Sequence, residues 1–293
     1  MAEISEEDIT AAANAPALVQ ISEEDIRAAA NALLPPPSSP RQLLPLLDQL
    51  GYCLAQTAQS PSTSILSAVN QAMEPLWANE LRDHLDEDVK VYVAHCFNEI
   101  LRITAPDPPF DDGQMKEIFK LIVATFDNIS DPSSLSYSKR IYILETFEQV
   151  SSWNWMIDLK CYSLISEMFM HFLQNIRLET TCIKVSVIVL VIGMPIIGDH
   201  HPESVFSSMG SIMILVIWDF DEIPLDLIFP LWDTVRDGNE GVLPIGQKLG
   251  QKVILNCATE LHSYFRFNVK KGKRRESQEM GNNHSDAART DFS

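Results

Sequence analysis

Apolar side chains recur along this chain at the spacing that lines one face of a helix, i, i+3, i+4, i+7. Leu43, Leu47, Leu50 and Leu54 form the first stripe, and Ile65, Val69, Met73, Leu76 and Trp77 the second. Val89, Val93, Phe97, Ile100 and Leu101 follow, then Met115, Ile118, Phe119, Ile122 and Phe126. Ile141, Leu144, Phe147 and Val150 precede Ile165, Met168, Phe169, Phe172 and Ile176. The pattern resumes at Val205, Met209, Ile212 and Val216, weakens at Leu227, Ile228 and Leu231, and ends with Ile245, Leu249, Val253, Cys257 and Leu261. Punctuation agrees with it: Asp86 and Asp111 stand where N-caps belong, and Ala105-Pro106-Asp107-Pro108-Pro109 is a stop. The spacing predicts eight or nine helices of roughly 15–20 residues in antiparallel pairs, an all-α solenoid with a pair period of roughly 45 residues.

Two stretches depart from this pattern. Leu178–Gly198 is β-branched and apolar on every side, and no helix cap bounds it. Its unbroken apolar core, Val187–Ile192, is far short of the roughly 20 residues a membrane-spanning helix needs, so no span is expected. The other is the N-terminus, where Ile4-Ser-Glu-Glu-Asp-Ile-Thr-Ala-Ala-Ala-Asn-Ala15 returns 17 residues later as Ile21-Ser-Glu-Glu-Asp-Ile-Arg-Ala-Ala-Ala-Asn-Ala32. Each copy has a serine N-cap with acids in its first turn, but little apolar surface. With the Pro35-Pro36-Pro37 run behind it, residues 1–40 read as a flexible acidic arm. The repeat body then covers 41–265, and 266–293 is a basic, polar tail without a core-forming composition.

Composition narrows the function classes. Hydrophobic residues make up 46% of the chain and charged residues 21%, enough to bury a core. Lys and Arg total 22 against 40 Asp and Glu, a net charge of −18, which repels nucleic acid and excludes a general grip on DNA phosphates. The five cysteines are scattered with no CxxC pair, the usage of reduced thiols in an intracellular protein. No apolar signal core follows Met1.

No constellation of catalytic residues emerges. His200-His201 lacks a second ligand cluster, and His95 and His171 sit beside apolar positions as structural histidines. Phosphate loop, dinucleotide fingerprint and nucleophile elbow are all missing, so no enzyme, metal or cofactor is expected. Binding chemistry is better represented. Lys270, Lys271, Lys273, Arg274 and Arg275 form one basic cluster, a candidate nuclear-import signal. The loop Ala105, Pro106, Asp107, Pro108, Pro109, Phe110 is stiffened by its prolines and ends in an apolar anchor for an extended peptide. Lys139 and Arg140 offer a charge contact to an acidic partner. The same loop also fits a tight inter-helix turn with Phe110 turned inward. The pattern alone suits a nuclear scaffold or an unrelated cytosolic adaptor.

Several blocks, in order, resemble a known family. They are Val89–Phe110, Met115–Val123, Ser136–Thr146, Met168–Arg177, His201–Met209 and Pro244–Val253. Together they resemble the cohesion regulators of the precocious-dissociation-of-sisters family, most nearly its short plant members, over about Arg41 to Phe265. The resemblance implies a HEAT-repeat scaffold on the kleisin subunit of cohesin. It also implies a nuclear location and roles in sister-chromatid cohesion, chromosome segregation and repair by homologous recombination. In the family the Ala-Pro-(Asp/Glu)-Ala-Pro-Tyr loop is associated with short motifs of release and protection factors. Here it is Ala105–Phe110, with Pro108 replacing the second alanine and Phe110 the tyrosine. Family members join the helix ending at Arg177 almost directly to the Asp-His-Pro segment, so 178–198 reads as an insertion. They also continue well past Phe265, so the chain reads as a truncated member.

Overall fold

The structure is a computed structural model that describes residues 21–175, 203–220, 223–235 and 244–262. Among these residues the chain forms twelve helices and no strand, as the apolar period requires. It divides into two compact units, one ending at Pro109 and one beginning at Phe110.

The first unit contains α1 (Glu23–Asn31), α2 (Pro40–Ala55), α3 (Thr63–Leu76), α4 (Asn79–Arg82) and α5 (Glu87–Thr104). Pro40 opens α2 at a position where the missing N–H costs nothing. The Asp86 carboxylate accepts from the Val89 N–H at 3.1 Å to start α5. Helix α5 packs on α2 and also meets α3 and α4. It is buried on every side from Val93 to Leu101. A Cβ at Gly51 of α2 would lie 2.7 Å from His95 Cδ2, so only glycine permits this approach of α2 to α5.

Residues 21–40 correct the expectation of an arm. The second copy of the duplicated segment is α1, and it packs on α2 and α3. Ile26, Ala29, Ala30 and Leu33 are buried, and α3 contributes buried Ala68 and Ala72. Little apolar surface is needed where alanines on both helices allow close packing. Polar links complete the seat: Arg27 Nη1 donates to Gln71 Oε1 at 2.6 Å and Arg27 Nη2 to Ser67 Oγ at 3.3 Å. Ile65, Met73 and Trp77, expected in the core stripe of α3, are only half-buried.

The second unit contains α6 (Asp112–Thr125), α7 (Tyr137–Gln149), α8 (Trp153–Asp158), α9 (Tyr162–Asn175), α10 (Glu203–Asp219), α11 (Leu225–Val235) and α12 (Pro244–Asn256). Helix α9 is central, meeting α6, α8, α11 and α12, while α10 packs on α7, α8 and α12. Phe126 joins two sides of the core, with ring centroids 6.1 Å from Phe147 and 5.2 Å from Phe172. Phe97, Phe119, Phe126, Leu144, Phe169 and Phe172 are all fully buried, as their spacing demands. The helix count exceeds the expected eight or nine because α1 was read as part of the arm and because α4 and α8 are too short to carry a periodic stripe. Leu178–Gly198, the first copy at Ile4–Ala15, and the tail 266–293 lie outside the described residues.

Candidate functional site

The loop that ends α5 is tied to the loop following α2. Pro106 ends the helix because it has no N–H to donate. The Ile103 carbonyl accepts from the Ser60 N–H at 3.0 Å, and the Ala105 carbonyl accepts from Gln59 Nε2 at 3.1 Å. One residue further, the Asp107 N–H donates to the Thr104 carbonyl at 3.1 Å. These bonds hold the backbone while the side chains of Pro106 and Asp107 stay exposed; Ala105 is buried, and Pro108 is half-buried.

Phe110 is half-buried and stands immediately before Asp111, the N-cap of α6. A capping box fixes this turn. Asp111 Oδ1 accepts from the Gln114 N–H at 2.8 Å, and the Asp111 N–H donates to Gln114 Oε1 at 3.1 Å. An apolar residue at Phe110's position commonly packs on the fourth helical residue, here buried Met115. Phe110 is therefore neither a bare anchor nor a core residue.

Of the two cations expected to serve an acidic peptide, Lys139 is half-buried and Arg140 is withdrawn from the surface. Arg140 is 2% exposed. Its Nη1 donates to the Thr125 carbonyl at 2.6 Å and its Nε to Ser136 Oγ at 3.3 Å. The expectation of a partner contact at Arg140 is corrected: the guanidinium satisfies an end carbonyl of α6. Arg102 does the same for α2, donating from Nη2 to the carbonyls of Leu54 at 3.0 Å and Thr57 at 2.8 Å. Its Nε pairs with the fully buried Glu99 at 2.7 Å. Neither α2 nor α6 ends in glycine, so the last carbonyls need donors from elsewhere. No sequence signal separates such an arginine from a surface one, because the carbonyls it serves lie on another helix.

Sequence reasoning also missed a groove between α9 and α11. It encloses about 460 Å³, and Ser166, Met170, Gln174, Asp226, Phe229 and Asp233 are among its lining residues. Met170 and Phe229 are exposed apolar groups among acids. Beside it, His171 lies between Asp127 and Glu167, at 3.3 and 3.5 Å. The signal was the pairing of exposed Phe229 with Asp226 and Asp233 on one helix, which only the position of α9 turns into a groove. Among the described residues no cluster of side chains is arranged to hold a metal. Burial pushes the Cys257 thiol up to about 12, so it is protonated and a poor nucleophile at neutral pH. The basic cluster Lys270, Lys271, Lys273, Arg274 and Arg275 lies outside the described residues.

Comparison with known proteins agrees with this architecture. The family described as "Sister chromatid cohesion protein PDS5 protein" matches residues 41–280. Sister chromatid cohesion protein PDS5 homolog C of Arabidopsis thaliana is 43% identical over 238 residues, which is 81% of this chain and 25% of that protein. Homolog D of the same plant is 38% identical over 232 residues, 79% of this chain and 26% of the relative. Sister chromatid cohesion protein PDS5 of Saccharomyces cerevisiae is 24% identical over 209 residues, 71% of this chain and 14% of the relative. The chain thus spans about a quarter of the length of homologs C and D. Among solved structures, a chain from the structure of the Pds5-Scc1 complex is similar at a TM-score of 0.62 and 21% identity, covering 81% of this chain and 34% of that one. That likeness gives the fold as a HEAT-like α-solenoid of antiparallel helix pairs. With the family pattern matched from the start of α2 to beyond the last described helix, the chain belongs to the PDS5 family of sister chromatid cohesion proteins.

Proposed function

We propose that this chain is a non-catalytic scaffold that regulates cohesin in sister-chromatid cohesion by docking on the kleisin subunit. The observation that carries the reading is the match of the family pattern across residues 41–280, supported by a fold shared with a protein solved together with Scc1. A helical array with a shallow groove and stiff loops suits an extended peptide better than a small substrate. By the same reading the chain acts in the nucleus, in chromosome segregation and in repair by homologous recombination. The basic cluster Lys270–Arg275 serves as its import signal.

In this reading Pro106, Asp107 and Pro108 contact short motifs of cohesin release or protection factors, and Phe110 and Lys139 are each taken as further candidate contacts. The backbone bonds at Ala105 and Asp107 hold the loop before binding, so little entropy is lost on docking. The test has two arms. Pull-down from nuclear extract with the full chain should recover cohesin subunits, and recovery of none would remove the scaffold reading. Calorimetric titration with a release-factor peptide should show Phe110→Ala weakening affinity by about 1 kcal/mol or more. Thermal melts of the same two proteins should nearly coincide. Equal affinities would take the loop off the binding surface, and a large fall in melting temperature would make Phe110 a packing residue.

A further inference from the structure

The structure seats one copy of a duplicated segment. Ile4–Ala15 and Ile21–Ala32 differ only at Thr10 and Arg27. We propose that the seat formed by α2 and α3 is an exchangeable docking site, and that the first copy, Ser5–Ala15 of the same chain, is its alternative occupant.

Nearly every feature that holds α1 recurs in the first copy. Ser22 and Asp25 close a capping box, with Asp25 Oδ2 accepting from the Ser22 N–H at 2.9 Å and the Asp25 N–H donating to Ser22 Oγ at 3.3 Å. Ser5 and Asp8 repeat that pair. Ile26, Ala29 and Ala30, buried against the seat, correspond to Ile9, Ala12 and Ala13. Asn31 Oδ1, which accepts from Gln71 Nε2 at 3.4 Å, corresponds to Asn14. A groove that accepts the one sequence accepts the other, since the groove meets the same side chains at the same spacing.

Two features are not repeated, and they set which copy wins. Arg27, bonded to Gln71 and Ser67, is Thr10 in the first copy. Leu33, fully buried, is replaced by Pro16. Pro16 also disfavours the helical conformation of Ala15, whereas its counterpart Ala32 caps α1 in the α region. Loss of one buried leucine alone shifts the balance about 10- to 150-fold toward the second copy. The exchange is therefore strongly biased, and the bias is written in Arg27 and Leu33. Geometry permits it within one molecule. With the first copy seated, residues 16–39 would span the gap that 33–39 span now, a longer and slacker connection. A tethered competitor of this kind acts at roughly millimolar effective concentration, above that of any second molecule at ordinary protein levels.

The test uses the full chain with Ile9→Asp, Ile26→Asp and both together, followed by thermal unfolding. Ile9→Asp should be nearly silent, Ile26→Asp should cost a few degrees, and the double variant should lose clearly more than the two singles summed. Equal melting temperatures for Ile26→Asp and the double variant would overturn the proposal, as would additive losses. A second reading follows the occupant itself. Thr10→Cys with Gln71→Cys places thiols at the site of the 2.6 Å Arg27–Gln71 bond if the first copy is seated. Mild oxidation, mapped by peptide mass, should give at least about ten times more cross-linked monomer in the Ile26→Asp background than with Ile26 intact. No increase, or an increase confined to dimers, would overturn exchange within one chain.

Discussion

Arg102 and Arg140 show how a single side chain holds two helices in register. Each reaches back to the C-terminal carbonyls of an earlier helix, Arg102 to α2 and Arg140 to α6. Such carbonyls carry the negative end of the helix dipole, so a guanidinium is favoured there by charge as well as by hydrogen bonding. Removing it leaves a buried carbonyl without its donor. Arg140→Met should therefore lower stability by about 1–3 kcal/mol in denaturant titrations, with peptide affinity unchanged. Lys139→Met, altering a half-buried side chain beside it, should shift stability by about 0.5 kcal/mol or less. Equal effects of the two substitutions would refute the capping role. At this scale the sequence was legible for apolar residues and for the N-caps Asp86 and Asp111. Phe126 and Phe172 announced themselves by spacing, whereas Arg140 looks like any surface cation until Thr125 is placed beside it.

Helices were legible where they are long enough to repeat a stripe. The leucines of α2 and the aromatic positions of α6 and α9 fall where the 3.6-residue period puts them. Helices α4 and α8 span fewer than two turns each and carry no period to detect. The error over α1 has a different cause. Judged alone, a helix with one isoleucine and paired alanines cannot repay its ordering entropy. It is stable here because α2 and α3 already present a matching surface, and propensity reasoning does not see the partner. Residues 1–20 and the seated helix should therefore behave differently on deletion. Removing residues 1–20 should leave the thermal midpoint almost unchanged. Removing residues 1–38 exposes the seat that Ile26 and Leu33 fill and should lower the midpoint by at least about 5 °C. Coincident melts of the two truncations would mean that α1 contributes nothing to the first unit.

Across the whole molecule, charge limits how a chain of this composition, acting as proposed, can reach a chromosome. The chain carries 22 basic and 40 acidic residues, so its net charge is −18. DNA binding draws most of its affinity from lysines and arginines that displace counterions from phosphates. The long-range field of a chain this acidic opposes approach to the duplex. The basic cluster Lys270–Arg275 acts only within a Debye length of about 8 Å at physiological salt. Under the proposed function, recruitment to chromatin runs through a protein partner, the kleisin. The purified chain should leave a short DNA duplex unshifted at about 0.15 M salt up to roughly 100 μM protein, the weak end of ordinary non-specific binding. Adding a kleisin-containing cohesin complex should bring it onto the same duplex together with cohesin. Depleting the kleisin from cells should release the chain from chromatin without altering its abundance. Retention on DNA in the absence of the partner would contradict this route. Loss of that retention in a variant with all five basic residues of the cluster neutralised would then assign DNA contact to the tail.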